Sequence, residues 1–284
     1  MTPSTTRPTT KSSTAARKHT LFPRGSRRRA ICVGITALVV FIVIWQLITA
    51  VFGLVNPILL PSATEVGSRF IHMLTEPYQG HTLGGHALTS LKIVVLGWII
   101  GGIIGMPLGI LMGWNRWIRA AVNPIFQVLR PIPPIAWIPL AILWFGLGDS
   151  ARIYVVWLAA VVPWILNSFE AVRSVDSILI SAARMLGASQ RTILTDIVAP
   201  SAVPVLVAGA RISLGNAWTT LIAAELLAAS AGLGFVALNA RRTLDSDIML
   251  VAMFTIGILG VIFTGLLYLL ERAVSRGRVE EVSL

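Results

Sequence analysis

Residues 170–200 read EAVRSVDSILISAARMLGASQRTILTDIVAP and form the one long polar interruption in the second half of a 284-residue chain. Uncharged runs flank this segment on both sides, so it projects into water between two membrane crossings. Its apolar residues keep helical spacing. Ala182, Ala183 and Leu186 share one face, and Ile193, Leu194 and Ile197 make a second beyond Gly187. Gly187 stands where one short helix ends and the next begins. Ala182 and Ala183 carry almost no side chain, which leaves room for a partner's backbone, while Arg184, Gln190 and Arg191 point to solvent.

The surrounding chain fits that reading. It is 55% hydrophobic and 12% charged, against roughly 25% charged for a soluble domain. Several apolar runs approach the ~20 residues that a bilayer-spanning helix needs. The fold class is therefore all-α: one polytopic membrane protein. The net charge of +11 does not point to nucleic acid, because eight of the 23 Lys and Arg lie in the first 29 residues. Residues 1–30 are read as a disordered basic tail, 31–270 as the transmembrane domain and 271–284 as a second polar tail. Cys32, the single cysteine, has no internal partner and is expected to pack.

The first span runs from Ile31 to Leu54, too long for the ~7–15-residue core of a cleaved signal. Residues 55–91 carry an amphipathic piece around Val66–Leu74 and suit the outer side. His72, His81 and His86 lie near this segment. Their spacing matches no zinc site and no cysteine supports one, so they are read as solvated loop histidines and no metal is expected. The second span, Ile93–Gly113, places Gly97, Gly101, Gly105, Gly109 and Gly113 every four residues. Such a seam lets helix backbones approach closely, which is how helices associate in lipid. It predicts a central helix crossed tightly by another.

A short basic loop, Trp114–Arg119, leads on to RPIPPIAWIPLAILWFGLGD at 130–149. Four prolines within nine residues break any regular helix. Broken backbone at membrane depth survives only inside protein or beside a water-filled path. Arg130 adjoins the break, either snorkelling at a helix end or facing that path. The fourth span is Ile153–Phe169. The fifth, about Val203–Ala229, places Arg211, Gly215, Trp218, Ile222 and Glu225 on one stripe. Arg211 and Glu225 lie about 21 Å apart along it, too far to pair. Either they line the path, with Asn216 and Thr220 adding polar groups, or Arg211 snorkels at the inner end and Glu225 belongs to a structural network. Residues 230–247 form an outer loop, and Ile248–Leu270 is the last span.

This gives six spans with both termini inside. The inner segments then hold 16 basic residues against five outside, with Arg130 and Arg211 left within spans. The bias has the sign that the positive-inside rule requires.

The polar loop resembles the coupling loop of ABC-importer permeases through Ala182-Ala183, Gly187, Ile197 and Pro200. Ser181 replaces the usual Glu and Ala199 the usual Leu. The proline-rich run is similar to the permeases for taurine, aliphatic sulfonates and nitrate, over roughly residues 55–275. The resemblance implies a type I ABC importer (MetI-like) permease fold in the plasma membrane. It also implies contact with an ATP-binding subunit through Ser181, Ala182, Ala183, Arg184, Gly187, Ile197 and Pro200. A second permease copy and an extracytoplasmic substrate-binding protein complete the implied assembly, and the implied cargo is a small anion.

No G-x-x-x-x-G-K-[ST] segment occurs, so the chain holds no cofactor and any ATP is bound by a partner. No nucleophile elbow, H-E-x-x-H or paired-carboxylate site marks it as an enzyme. An ion-coupled transporter or channel is the competing class. It predicts carboxylates central to several helices and an inverted repeat, whereas one intramembrane Glu and no evident repeat are present.

Overall fold

Helices follow from the apolar runs, because a chain in lipid must satisfy its backbone internally. The computed structural model describes residues 26–279. It is built from α1 (Ser26–Gln46), α2 (Ala63–Thr75), α3 (Leu83–Trp114), α4 (Arg116–Leu129), α5 (Ile138–Phe145), α6 (Asp149–Arg173), α7 (Ser177–Met185), α8 (Gln190–Thr192), α9 (Ala199–Ala228), α10 (Leu233–Thr243) and α11 (Ser246–Val279). Among the described residues, five stretches are long and apolar enough to cross a bilayer. A sixth arises if α4 and the Pro134–Phe145 segment, bent by 81° from each other, form one broken span. Five of the six expected crossings are thus continuous helices, and the sixth corresponds to the bent pair.

The glycine seam is the axis of the fold. A Cβ on Gly97 would lie 2.6 Å from Val156 Cγ1, on Gly101 2.8 Å from Ala160 Cβ, on Gly105 2.8 Å from Trp164 Cβ, and on Gly113 2.8 Å from Val172 Cβ. On Gly109 it would meet the carbonyl oxygen of Ile165. The partner crossing predicted from the sequence is therefore α6, matched turn for turn. On its far side α6 packs against α9, where Ser213 donates to Ala160 O at 2.8 Å. Trp98 ties α3 to α9 through Ala210 O at 3.1 Å, and Trp218 of α9 stacks on Phe263 of α11, with ring centroids 5.6 Å apart.

Helix α1 stands at the periphery, with the side chains of residues 31–44 exposed. It is held at its end, where the Trp45 indole donates to Pro61 O (3.1 Å) and Gln46 bonds Thr64. Ser62 and Glu65 form a capping box that starts α2, and Arg69 on that helix pairs with Asp247 at 2.6 Å.

Several expectations need correction. Cys32 is exposed on α1 rather than packed. Only Asn115 separates α3 from α4, because its side chain caps α4 by accepting from Trp117 N–H (2.8 Å), so the basic loop is largely helix. Residues 230–247 include the helix α10. Of the expected tails, α1 takes in residues 26–30 and α11 continues to Val279; the rest lies outside the described residues. Arg152, counted among the outer-loop charges, is buried. His86 is fully buried too and no loop histidine, for the reason given next.

Candidate functional site

Three features carry chemistry, and the first explains His86. Helix α10 begins at Gly232 in a backbone conformation, φ +128°, that favours glycine. Its first N–H groups have no partner within the helix. Side chains from other helices supply the acceptors: His86 Nδ1 takes Gly232 N–H (3.2 Å), Ser90 Oγ takes Leu233 N–H (3.0 Å), and Glu225 Oε2 takes Gly234 N–H (2.8 Å). Ser90 in turn donates to Glu225 Oε1 at 2.6 Å. Because Nδ1 accepts, Nε2 carries the proton and donates to Tyr78 O at 2.8 Å, so the ring is the neutral tautomer. Alongside, Arg152 donates to Ala231 O (2.9 Å) and pairs with Asp149. Glu225 thus belongs to a buried network that staples α3, α9 and α10 together.

Removing the Glu225 carboxyl leaves Gly234 N–H and Ser90 Oγ–H without acceptors. Each such group costs about 1–3 kcal/mol when buried. Glu225→Ala is expected to lower the thermal midpoint of the detergent-solubilised protein by several degrees, read by fluorescence-detected gel filtration after heating. An unchanged midpoint would show that the network does not support the fold.

The second feature is a cavity of about 660 Å³ between α3, α4, α6, α9 and the proline break. The backbone turns at Arg130–Pro133 and passes through one 3₁₀ turn, Pro134–Trp137, before α5. Arg130, Ile132, Pro134 and Trp137 of the break line the cavity, facing Tyr154 and Trp157 of α6 and Asn216, Thr219 and Thr220 of α9. The break does border an open space, as its prolines predict. Among the expected path residues, Arg130, Asn216 and Thr220 meet here, while Arg211 and Glu225 do not. Arg211 pairs with Glu271 (3.3 Å) and lies over the Tyr268 ring on α11. At about 100° per residue, Glu225 is half a turn from Asn216 and Arg211 is about 140° from it. The stripe read from the sequence is real, but it faces α10 and α11. The aromatic lining was missed, since Trp and Tyr within apolar runs read as ordinary span residues.

The third feature is the polar loop. Asp176 caps α7 by accepting from Ile178 N–H at 2.8 Å. The helix closes with Gly187 at φ +78°, Ala188 N–H bonding Ala183 O and Gly187 N–H bonding Arg184 O, both 3.0 Å, the paired pattern of a Schellman motif. Ser189 then caps the next turn through Thr192 N–H (3.1 Å), and the chain winds through π-turns, Ile193–Val198, into α9. The helix–glycine–helix reading holds, but the faces differ from the expectation. Ala183 turns inward against Val172, Ile193 and Val198. Leu186 is 88% exposed and Met185 84%. Arg184, Gln190 and Arg191 are exposed as expected, Ser181 and Pro200 are exposed too, and Ala182 and Ile197 are half-buried.

Residues 105–276 match the family described as binding-protein-dependent transport system inner membrane component. Over 237 residues the chain is 35% identical to a putative ABC transporter permease of Methanocaldococcus jannaschii, covering 81% of this chain and 86% of that protein. It is 34% identical over 232 residues to the taurine transport system permease TauC of Escherichia coli, covering 81% of this chain and 84% of that one. Among solved structures, an inward-facing form of the MetNI methionine ABC transporter aligns with a TM-score of 0.60 at 23% identity. That alignment covers 66% of this chain and 93% of the other, and the likeness is one of fold.

Proposed function

The chain belongs to the family of binding-protein-dependent transport system inner membrane components, and from that premise we propose that it moves a small anion inward, driven by ATP hydrolysis on a separate subunit. It is the permease of an ABC importer, a multi-pass inner-membrane protein. One observation carries the driven mechanism. Helices α6 and α9 both line the cavity, and the same two helices are joined by the capped loop with its exposed Met185 and Leu186. A motor that grips the loop and changes shape pulls on the walls of the cavity. The loop and both termini then lie on the cytoplasmic side.

The assembly comprises two copies of this chain, ATP-binding subunits that hold the nucleotide, and an extracytoplasmic protein that delivers the cargo. Similarity to a taurine permease favours a sulfonate, with nitrate, bicarbonate and aromatic acids as further candidates. The ion-coupled alternative draws no support from the cavity, whose lining among the described residues contains no carboxylate.

Proteoliposomes holding the permease with its ATPase and loaded binding protein are expected to accumulate solute only when ATP is supplied to the ATPase side. Gly187→Pro should abolish uptake and ATPase co-purification while leaving insertion intact, because proline's fixed φ near −65° is incompatible with +78°. Uptake that follows an ion gradient without ATP, or survives Gly187→Pro unchanged, would refute the coupling role.

A further inference from the structure

We propose that the cavity is an intramembrane recognition site for an organic anion with a planar apolar body. Arg130, Asn216 and Thr220 take the charged head, and Trp157 with Tyr154 takes the body. The inference rests on the importer reading only for the direction of travel; the site is argued from its lining.

Charge sets the sign. Among the described residues, Arg130 is the one charged side chain in the lining, so the cavity attracts anions and repels cations. Free donors set where the head lies. Asn216 and Thr220 are one turn apart on the same face of α9, and no hydrogen bond among the described residues uses the Asn216 amide or the Thr220 hydroxyl. Thr219 differs, since its hydroxyl already donates to Gly215 O at 3.2 Å and Asn216 O at 3.1 Å.

The aromatic wall sets the body. Tyr154 and Trp157 have ring centroids 5.5 Å apart, and Tyr154 is braced from behind by Phe145 (5.2 Å) and Trp144 (5.9 Å). A preformed aromatic face of this kind stacks on flat apolar groups. The rest of the lining is mostly aliphatic, so a hydrated inorganic ion exchanges water for hydrocarbon over most of its surface. An aryl sulfonate or carboxylate buries its body there and keeps its head at the donors. The volume, about 660 Å³, falls in the usual range for small-molecule sites.

The test uses the permease–ATPase complex in nanodiscs, without binding protein, titrated with 4-bromobenzenesulfonate, whose bromine quenches nearby tryptophan. Saturable quenching is expected in the wild type. Arg130→Gln should weaken it about tenfold or more, as loss of a charge-assisted contact does. Trp137→Phe and Trp157→Phe together, which replace both cavity tryptophans, should remove most of the quenched signal while keeping the aromatic wall. Nitrate in about hundredfold excess should fail to displace the probe. Non-saturable quenching, nitrate competing at equal concentration, or a full signal in the double Trp137→Phe/Trp157→Phe variant would overturn the site. ATP-dependent uptake is measured separately. A complex that pumps but does not bind the probe refutes the site alone, and one that binds but never pumps refutes the importer reading alone.

Discussion

Gly109→Leu is expected to leave almost no folded permease in the membrane. A Cβ at this position meets the carbonyl oxygen of Ile165 and lies 2.7 Å from Ser168 Cβ. The obstruction is backbone, which cannot rotate aside as a long side chain does. Relief requires α3 and α6 to separate, and that pulls apart the contacts at Gly97, Gly101, Gly105 and Gly113 together. Overpacking a single core site costs about 1–3 kcal/mol; here one substitution strains five contacts on the same two rods. Helix association in lipid has no hydrophobic drive to offset the loss. The measurement is the monodisperse gel-filtration peak of tagged protein. Gly215→Ala is the control, because nothing lies within 4 Å of its Cβ and alanine is the better helix former. Gly101→Ala should be milder, and Ala160→Gly should partly rescue it, since the new methyl conflicts first with Ala160 Cβ at 2.8 Å. Wild-type behaviour of Gly109→Leu would mean that the seam is not the packing axis.

That seam was legible because glycine at every fourth position has one strong physical reading in a membrane helix. The proline break and the Gly187 turn were legible for the same reason, since proline and glycine impose backbone conformations wherever they stand. The rotational phase of α9 was not. Lipid, a neighbouring helix and a lined cavity all accept apolar side chains, so no amphipathic contrast marks which face meets which. Arg211 and Glu225 therefore read either as path residues or as a snorkelling charge and a structural one until α10 and α11 were seen to claim their stripe. His86 is a different case. Its i, i+4 relation to Ser90 placed two acceptors on one face of α3, but their partners are two backbone N–H groups about 140 residues away. Nothing local in the sequence announces those. In the loop, alanine's small size suggested an opening for a partner, whereas Ala183 is small because its own chain packs on it.

Exchanging Met185 for Ser and Leu186 for Asp together is expected to detach the ATPase subunit while leaving the permease fully folded. These two side chains stand at the tip of the capped turn, 84% and 88% exposed, and the hydrophobic clusters of the fold do not include them. Removing them therefore takes no packing from the permease, and the thermal midpoint should stay put. Their value lies at the interface. Burying a Met or Leu side chain contributes about 1.5–3 kcal/mol each, and binding energy concentrates in a few such central anchors. Losing both predicts affinity lower by about two to four orders of magnitude, with the aspartate adding a charge that a pocket shaped for leucine leaves unpaired. Ala183→Leu should fail in the opposite way. Its side chain faces Val172, Ile193 and Val198, so enlargement disorders the loop and lowers thermal stability along with assembly. Pull-down of the ATPase, paired with a melting curve for each variant, separates the two outcomes. If the Met185→Ser/Leu186→Asp protein still retains its ATPase at wild-type levels, the tip of the loop is not where the motor holds.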